Sequence, residues 1–495
     1  MAAPWLDQRL AAAGLVGLTA ALVASAGRRG WRHEGWVLGG CCVALAIAFH
    51  WAPAVLAHVM RASISAGWAF AAPIVVWDAC RLALPFWAAG RLARDPREAW
   101  LPAGLVAVAA EAFVPAIFPW KLGGFQAAWP VALQSTDLGG AETATFTAFA
   151  LAGAVLTAVG PLVPGWPRRV PAVGVAAVVL TLANLAYGSL AIDRWSRRAA
   201  AAPRVRVAVI QVDPRQGAGL AELRQLTRAA CADREIDLVC WPECSGGSYE
   251  EGLDSFADET IVMQRSRPSG QGVRPLPEPP GPLLLGASVY RGYPEKPRDI
   301  YQAALLLDDR ERLVGVYRKR YLMPFGEYVP GASVIPELRL HFPLETEFDV
   351  GVTANVLACG AARLGVMLCY EDMLPAAAAA LVGNSANLLV SLVNGSSFDD
   401  SLALLQHRLL AQGRAIELRR SMIRCAATGE TCLISPWGTV ERRVPLQAPG
   451  WFVADVPLLE GLTPAARLGG TFPAACGLMA AGLALRRRCS APAAA

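Results

Sequence analysis

The chain has 495 residues, of which 54% are hydrophobic and 17% charged, with a net charge of +5 and a mean hydropathy of +0.37. Soluble globular chains carry about 25% charged residues, so the composition argues against a wholly soluble protein. The positive charge lies in short arginine clusters between apolar segments, not on the basic face that nucleic-acid binding requires, and no nucleic-acid partner is expected.

A helix needs about 20 apolar residues to cross a bilayer. In chain order, seven stretches are candidates: about 10–26, 35–50, 64–90, 101–118, 142–160, 170–192 and 468–485. The second is short and extends toward His50-Trp51. Val23-Ala24-Ser25-Ala26 has the small residues of a leader cleavage site, but Asp7 offsets Arg9 in what would be its basic start. Asp78 and Arg81 stand three residues apart inside the third stretch. Charges at membrane depth usually pair, so they read as a structural or snorkelling ion pair, with the lining of a lipid-entry cavity as the alternative. The segment from Phe118-Pro119-Trp120-Lys121 to Asp137-Leu138-Gly139-Gly140 is too polar to span and reads as a loop at the membrane surface.

Arginine clusters follow the first, third, fifth and last stretches: Arg28, Arg29 and Arg32; Arg91, Arg94 and Arg97; Arg168 and Arg169; Arg486, Arg487 and Arg488. Loops rich in Arg and Lys stay in the cytoplasm. With seven crossings, that places the large domain after residue 195 outside. Arg194, Arg197, Arg198, Arg204 and Arg206 oppose this orientation, but long domains translocate largely regardless of flanking charge.

Residues 204–212 and 236–243 read as strands, with a helical stretch at 218–232 between them. Further strands follow at 282–289, 301–307, 365–371 and 388–393, the last running into Asn394-Gly395. Strands alternating with helices predict an α/β layered domain, whose reactive residues gather at strand ends. The expected organisation is an N-terminal transmembrane domain over 1–195 with about six helices, an α/β domain over 203–460, and a C-terminal transmembrane helix over 466–488.

Of the 12 cysteines, seven fall in the α/β domain: Cys231, Cys240, Cys244, Cys359, Cys369, Cys425 and Cys432. No C-x-x-C pair occurs and histidine is scarce, so no metal site is expected. An odd number outside the cytoplasm leaves at least one thiol free. Cys244 directly follows Glu243, and on a strand it points to the opposite face. It is expected either to pack in the core or to form a disulfide with Cys231 or Cys425.

Three segments carry chemistry: Trp241-Pro242-Glu243; Tyr317-Arg318-Lys319-Arg320 running into Pro324-Phe325-Gly326-Glu327-Tyr328-Val329-Pro330; and Leu368-Cys369-Tyr370-Glu371-Asp372. Together they resemble the carbon–nitrogen hydrolase (nitrilase) superfamily, whose triad is Glu, Lys and Cys in that order. The fuller resemblance is to the apolipoprotein N-acyltransferase family. It rests also on Phe118-Pro119-Trp120, Gln126, Leu133-Gln134 and Asp137-Leu138-Gly139-Gly140, on His407, Arg414-Ala415-Ile416-Glu417 and Arg424, and on Leu462-Thr463-Pro464.

The resemblance implies an αββα nitrilase-like sandwich between membrane helices, in a bacterial inner membrane with the catalytic domain in the periplasm. It implies catalytic Glu243, Lys319 and Cys369. A cysteine nucleophile acts as its thiolate, Glu243 serves as general base, and Lys319 supplies charge beside the thiolate and the oxyanion. Glu327 supports Lys319, the backbone N–H of Tyr370 is a second oxyanion donor, and Glu371 holds the Cys369 loop. Phe325, Tyr328 and Phe398 are candidate substrate-lining residues. The implied reaction moves a fatty acyl chain from a phospholipid, through a thioester on Cys369, to the N-terminal amine of an S-diacylglyceryl-cysteine on a lipoprotein, with no metal or cofactor.

The chain departs from the family pattern at Val393-Asn394-Gly395-Ser396-Ser397-Phe398, where an acid and a Trp are missing. It departs also at Gln211-Val212-Asp213-Pro214, at Ala427-Thr428-Gly429 and at Cys244. These changes leave the triad intact and alter pocket walls. A membrane-tethered amidase that hydrolyses a small amide shares the triad and is the alternative. A non-catalytic lipid- or lipoprotein-binding descendant would show a broken triad, and a transporter would show more intramembrane charge.

Overall fold

The computed structural model describes residues 7, 10–60, 62–164, 166, 168–212, 219–245, 248–251, 280–291, 299–310, 312–342, 344, 346–398, 401–446 and 448–489. The Asp213-Pro214 departure lies outside the described residues. Two compact units emerge, one of residues 1–56, 63–194 and 463–495, the other of residues 57–62 and 195–462.

The first unit is helical. Among the described residues, three helices are long and apolar enough to cross a membrane: Ile64–Leu92, Glu142–Leu162 and Ala172–Ala201. A fourth span arises if Trp31–Ala48 and Ala52–Val59, bent by 62°, count as one. Ala11–Ser25 and Trp100–Phe113, at 15 and 14 residues, each rise about 20 Å, short of a bilayer core of about 30 Å. The seven expected stretches are therefore all helical but unequal in length. The last of them, Thr471–Cys489, packs into this unit. Phe472 meets Phe146 edge-on at 5.8 Å, and Cys476 joins Leu105 and Val108.

Asp78 and Arg81 pair at 3.5 Å and are both buried, with the Arg81 guanidinium 5.0 Å from the Trp120 ring. The polar segment after Trp120 is not an exposed loop. It forms short helical turns at Leu122–Ala128, Pro130–Leu133 and Thr136–Gly139, and it buries Gln126, Gln134 and Asp137. Several of its polar groups meet protein partners: Lys121 donates to Glu142 at 2.7 Å, and the Leu122 N–H donates at 2.6 Å to Glu111, which also accepts from the Thr145 hydroxyl at 2.7 Å. Glycine permits this closeness, since a β-carbon on Gly123 would meet the Ala144 backbone at 2.2 Å.

The second unit is built on two sheets. The first contains β1 (Arg204–Gln211), β2 (Leu238–Cys240), β3 (Ser248–Glu251), β4 (Leu283–Arg291), β5 (Asp299–Leu307), β6 (Leu313–Arg318) and, from the chain's end, β13 (Gly450–Pro457). Its order is β13-β1-β2-β4-β5-β6, with β3 also paired to β4. The second contains β7 (Leu357–Cys359), β8 (Ala362–Leu368), β9 (Leu388–Val393), β10 (Met422–Ala426), β11 (Cys432–Ile434) and β12 (Val440–Arg443), in reverse chain order. β1, β2 and β4 run parallel, as do β8, β9 and β10. Their residues are almost wholly buried, as parallel strands covered on both faces require. The sheets meet where the Cys425 thiol of β10 reaches the carbonyls of Ile210 at 3.2 Å and Cys240 at 3.4 Å. The helices Leu220–Cys231, Pro375–Gly383 and Ala403–Leu418 complete the α/β layering.

Candidate active site

Each chemically interesting side chain stands just past the carboxyl end of a strand. Glu243 follows β2 by three residues, Lys319 directly follows β6, Cys369 directly follows β8, and Asn394 directly follows β9. The strand expected over 236–243 is shorter, because only Leu238–Cys240 pairs. Glu243 and Cys244 therefore sit in a turn. A β-carbon on Gly286 of β4 would lie 2.5 Å from the Glu243 Cα, so a glycine there lets the turn press onto the sheet.

Lys319 is pinned through its backbone: its N–H donates to the Gln302 carbonyl at 2.8 Å, and its carbonyl accepts from Gly351 at 2.7 Å. Its ammonium, 1% exposed, donates to Glu327 at 2.5 Å and to Glu243 at 3.4 Å. Glu327 returns to Lys319 because the segment 323–328 is a tight loop. The Glu327 N–H bonds the Met323 carbonyl at 2.9 Å, and its carboxylate accepts the Met323 N–H at 2.7 Å. Phe325 at the tip has φ +63°. Glu243 accepts a further hydrogen bond from the Asn394 N–H at 3.0 Å.

Cys369 opens a short 3-10 turn, Cys369–Met373, rather than continuing β8. Its φ is +47°, a left-handed conformation that costs a residue with a β-carbon about 1 kcal/mol. Two buried carboxylates hold it there. Glu371 accepts the Leu368 N–H at 2.9 Å, the Tyr317 hydroxyl at 2.9 Å, and the N–H groups of Arg320 at 2.8 Å and Tyr321 at 3.1 Å. It thus ties the cysteine turn to the segment bearing Lys319. Asp372 accepts from Ser391 at 2.7 Å, Arg424 at 3.0 Å and His407 at 2.6 Å, and the same His407 nitrogen lies 3.2 Å from the Cys369 carbonyl oxygen. The Cys369 thiol lies 3.9 Å from the Asn394 carbonyl.

Burial pushes Glu243 up to about 7; the Lys319 ammonium pulls it down and the Glu327 carboxylate pushes it further up. Burial, then the Glu243 carboxylate, raise the Cys369 thiol well above its ordinary value, against the opposing pull of Lys319. Burial alone lowers Lys319, but Glu243 and Glu327 outweigh it and keep the ammonium charged. The resting arrangement is a neutral thiol, a carboxyl poised near neutrality and a fixed cation. Such a group can take a proton from sulfur as the sulfur attacks a carbonyl.

Glu243, Lys319, Glu327, Cys369 and Asn394 line one cavity of about 730 Å³, with Met323, Leu344, Phe348 and Phe398 as apolar wall. Its volume falls within the usual ligand-pocket range of about 300–1,000 Å³. Of the three candidate lining aromatics, only Phe398 is in that wall. Phe325 packs instead on Phe342, with ring centroids 4.9 Å apart, and Tyr328 lies on the surface. The tight turn that aims Glu327 inward leaves its neighbours on the outside. Tyr370 is buried, its phenol pushed up to about 12 by burial and by Tyr328. Among the described residues, no three His, Cys, Asp or Glu side chains are placed to hold a metal ion.

Cys244 corrects the expectation from strand alternation. It has φ +61°, lines the same cavity as Glu243, and accepts from the Gln302 amide at 3.7 Å. It is neither a core residue nor in a disulfide, and Cys231 and Cys425 are free and buried. Gln302 is a cavity residue that no motif singled out, whereas Asn394 lies in the Val393–Phe398 segment where the chain departs from the family pattern.

The fold is that of the carbon–nitrogen hydrolase class, and it brings a thiol, a carboxyl and an ammonium into one cavity. The carbon–nitrogen hydrolase family model matches residues 206–461. The chain is 32% identical over 390 residues to the apolipoprotein N-acyltransferase of Azotobacter vinelandii, spanning 75% of this chain and 69% of that one. It is 30% identical over 395 residues to that of Geobacter metallireducens, spanning 76% and 72%. Among solved structures, an amidase from Nesterenkonia sp. is 20% identical with a TM-score of 0.36, spanning 52% of this chain and 91% of its own. The chain belongs to the apolipoprotein N-acyltransferase family, a membrane branch of the carbon–nitrogen hydrolases, and is an N-acyltransferase with a nitrilase-like α/β domain.

Proposed function

We propose that Cys369, Glu243 and Lys319 transfer a fatty acyl chain from a phospholipid to the N-terminal amine of an S-diacylglyceryl-cysteine on a lipoprotein. The observation that carries this reading is the single cavity in which a buried thiol, a carboxyl raised to about 7 and a doubly bonded ammonium converge. As sulfur attacks the ester carbonyl, its proton passes to Glu243. The C–S bond forms, and the carbonyl electron pair moves to oxygen beside Lys319 and the Tyr370 N–H. Collapse breaks the ester C–O bond, and the lysophospholipid oxygen leaves with the proton from Glu243. The amine then attacks the thioester, the C–S bond breaks, and an amine proton returns the thiol through Glu243.

Glu327 orients Lys319, and Glu371 fixes the cysteine turn. The arginine clusters after the apolar stretches support a bacterial inner membrane with the α/β domain in the periplasm. The apolar wall of Met323, Leu344, Phe348 and Phe398 suits a lipid chain.

The test is intact-mass analysis of the detergent-purified protein with phosphatidylethanolamine, followed by a diacylglyceryl-cysteine peptide. A hydroxylamine-labile adduct on Cys369, absent in Cys369→Ala and discharged onto the peptide amine, is the expected result. No adduct, with Cys369-dependent hydrolysis of small amides, would replace this reading with an amidase.

A further inference from the structure

Beneath Cys369 lies a buried polar cluster outside the catalytic triad. His407 is 4% exposed, Asp372 and Ser391 are 0% and Arg424 is 1%. The His407 Nε2 is 3.2 Å from the Cys369 carbonyl oxygen and 2.6 Å from an Asp372 carboxylate oxygen. Both partners only accept, so Nε2 carries the hydrogen and shares it between them. Asp372 is itself fixed by Ser391 at 2.7 Å and Arg424 at 3.0 Å.

The consequence follows from peptide geometry. The Cys369 carbonyl and the Tyr370 N–H are the two ends of one planar trans peptide and point in opposite directions. His407 is not part of the cavity wall, whereas Cys369 is. A carbonyl drawn toward His407 therefore turns the Tyr370 N–H away from it.

We propose that His407, braced by Asp372, is a positioning residue: by gripping the Cys369 carbonyl it aims the Tyr370 N–H at the oxyanion that develops as the thioester forms. This rests on the acyl-transfer reading above. The role is orientational, so it is needed only where an oxyanion forms. Alkylation of the Cys369 sulfur by iodoacetamide displaces iodide at a saturated carbon and creates no oxyanion. The two reactions use the same sulfur and differ in the feature His407 controls.

The test compares the full-length protein in detergent with His407→Leu and His407→Gln. Gln places an amide N–H near the position of Nε2. Thioester formation from phosphatidylethanolamine is followed by mass, and Cys369 alkylation by peptide mapping. His407→Leu is expected to slow thioester formation about 10–100-fold, at or below the loss seen on removing an oxyanion donor. Lipid half-saturation and the alkylation rate are expected to stay unchanged, with His407→Gln recovering most of the rate. Ser391→Ala loosens Asp372 without touching the histidine, and it is expected to show the same split in milder form should the leucine variant not fold. A parallel fall in both reactions, or no fall in thioester formation, overturns the proposal. Absence of a thioester in the unsubstituted protein is a different failure, since it removes the acyl-transfer reading before any variant is compared.

Discussion

Glu327 holds the Lys319 ammonium at 2.5 Å, a closer grip than the 3.4 Å between that ammonium and Glu243. The cation is thus anchored by one carboxylate, and the other is left nearer to protonation. Glu327 also raises Glu243 as a neighbouring like charge. Glu327→Gln is therefore expected to lower the Glu243 pKa and move the rising limb of the pH–rate profile to lower pH. It should also cost about 2–3 kcal/mol of stability, less than breaking a wholly buried pair, because Glu243 still balances Lys319. Thioester formation measured across pH, with thermal unfolding, checks both.

As the proposed general base, Glu243 can take the thiol proton only when ionised. With Glu243 raised to about 7 by burial, thioester formation should rise with pH through about 7 and level above it. Glu243→Gln should abolish that limb and lower the rate by about 10²–10⁴-fold. A flat profile in the unsubstituted protein would assign the base elsewhere.

Glu371 collects four donors from two segments: Tyr317, Arg320 and Tyr321 on one side and Leu368 on the other. Glu371→Ala leaves these donors unpaired in the interior. The expected loss is about 3 kcal/mol or more, since each buried unsatisfied group costs about 1–3 kcal/mol. Thermal unfolding reads the loss, and an unchanged midpoint would show that water replaces the carboxylate.

Cys244 is the exposed cysteine of the α/β domain; Cys231, Cys240, Cys359, Cys425 and Cys432 are buried. In Cys369→Ala, a maleimide should modify Cys244 and spare those five. The reaction should quicken at alkaline pH, because lost hydration around the sulfur inside the cavity and the adjacent Glu243 carboxylate hold this thiol above its ordinary value. Peptide mapping after brief labelling identifies the site.

Much of the site was legible because its residues are adjacent to short, apolar strand runs. Val390 and its neighbours could only be a buried strand, and β9 spans Leu388–Val393 as expected. Cys369 and Glu371 follow such a run, but of the four hydrogen bonds to Glu371 only that from Leu368 is local; those from Tyr317, Arg320 and Tyr321 arrive from a segment distant in the sequence. Cys244 was misread because alternation across a strand assumes the strand continues. The backbone there turns to positive φ instead, against Gly286, which lies 42 residues further along the chain. Phe325 and Tyr328 were misplaced for a similar reason: composition marks an aromatic loop but not which of its side chains the turn sends inward. In the helical unit, composition separated the apolar stretches but not their lengths or the 62° bend after Ala48. It also did not show that Lys121, Gln126, Gln134 and Asp137 of the polar segment after Trp120 would find partners within the protein.

The resting thiol of Cys369 faces the carbonyl of Asn394 and is kept protonated by burial and by Glu243. Peroxides and other oxidants attack thiolates in preference to thiols. On the proposed reaction, a thiol that loses its proton only as it attacks an ester beside Glu243 would be chemically quiet between turnovers.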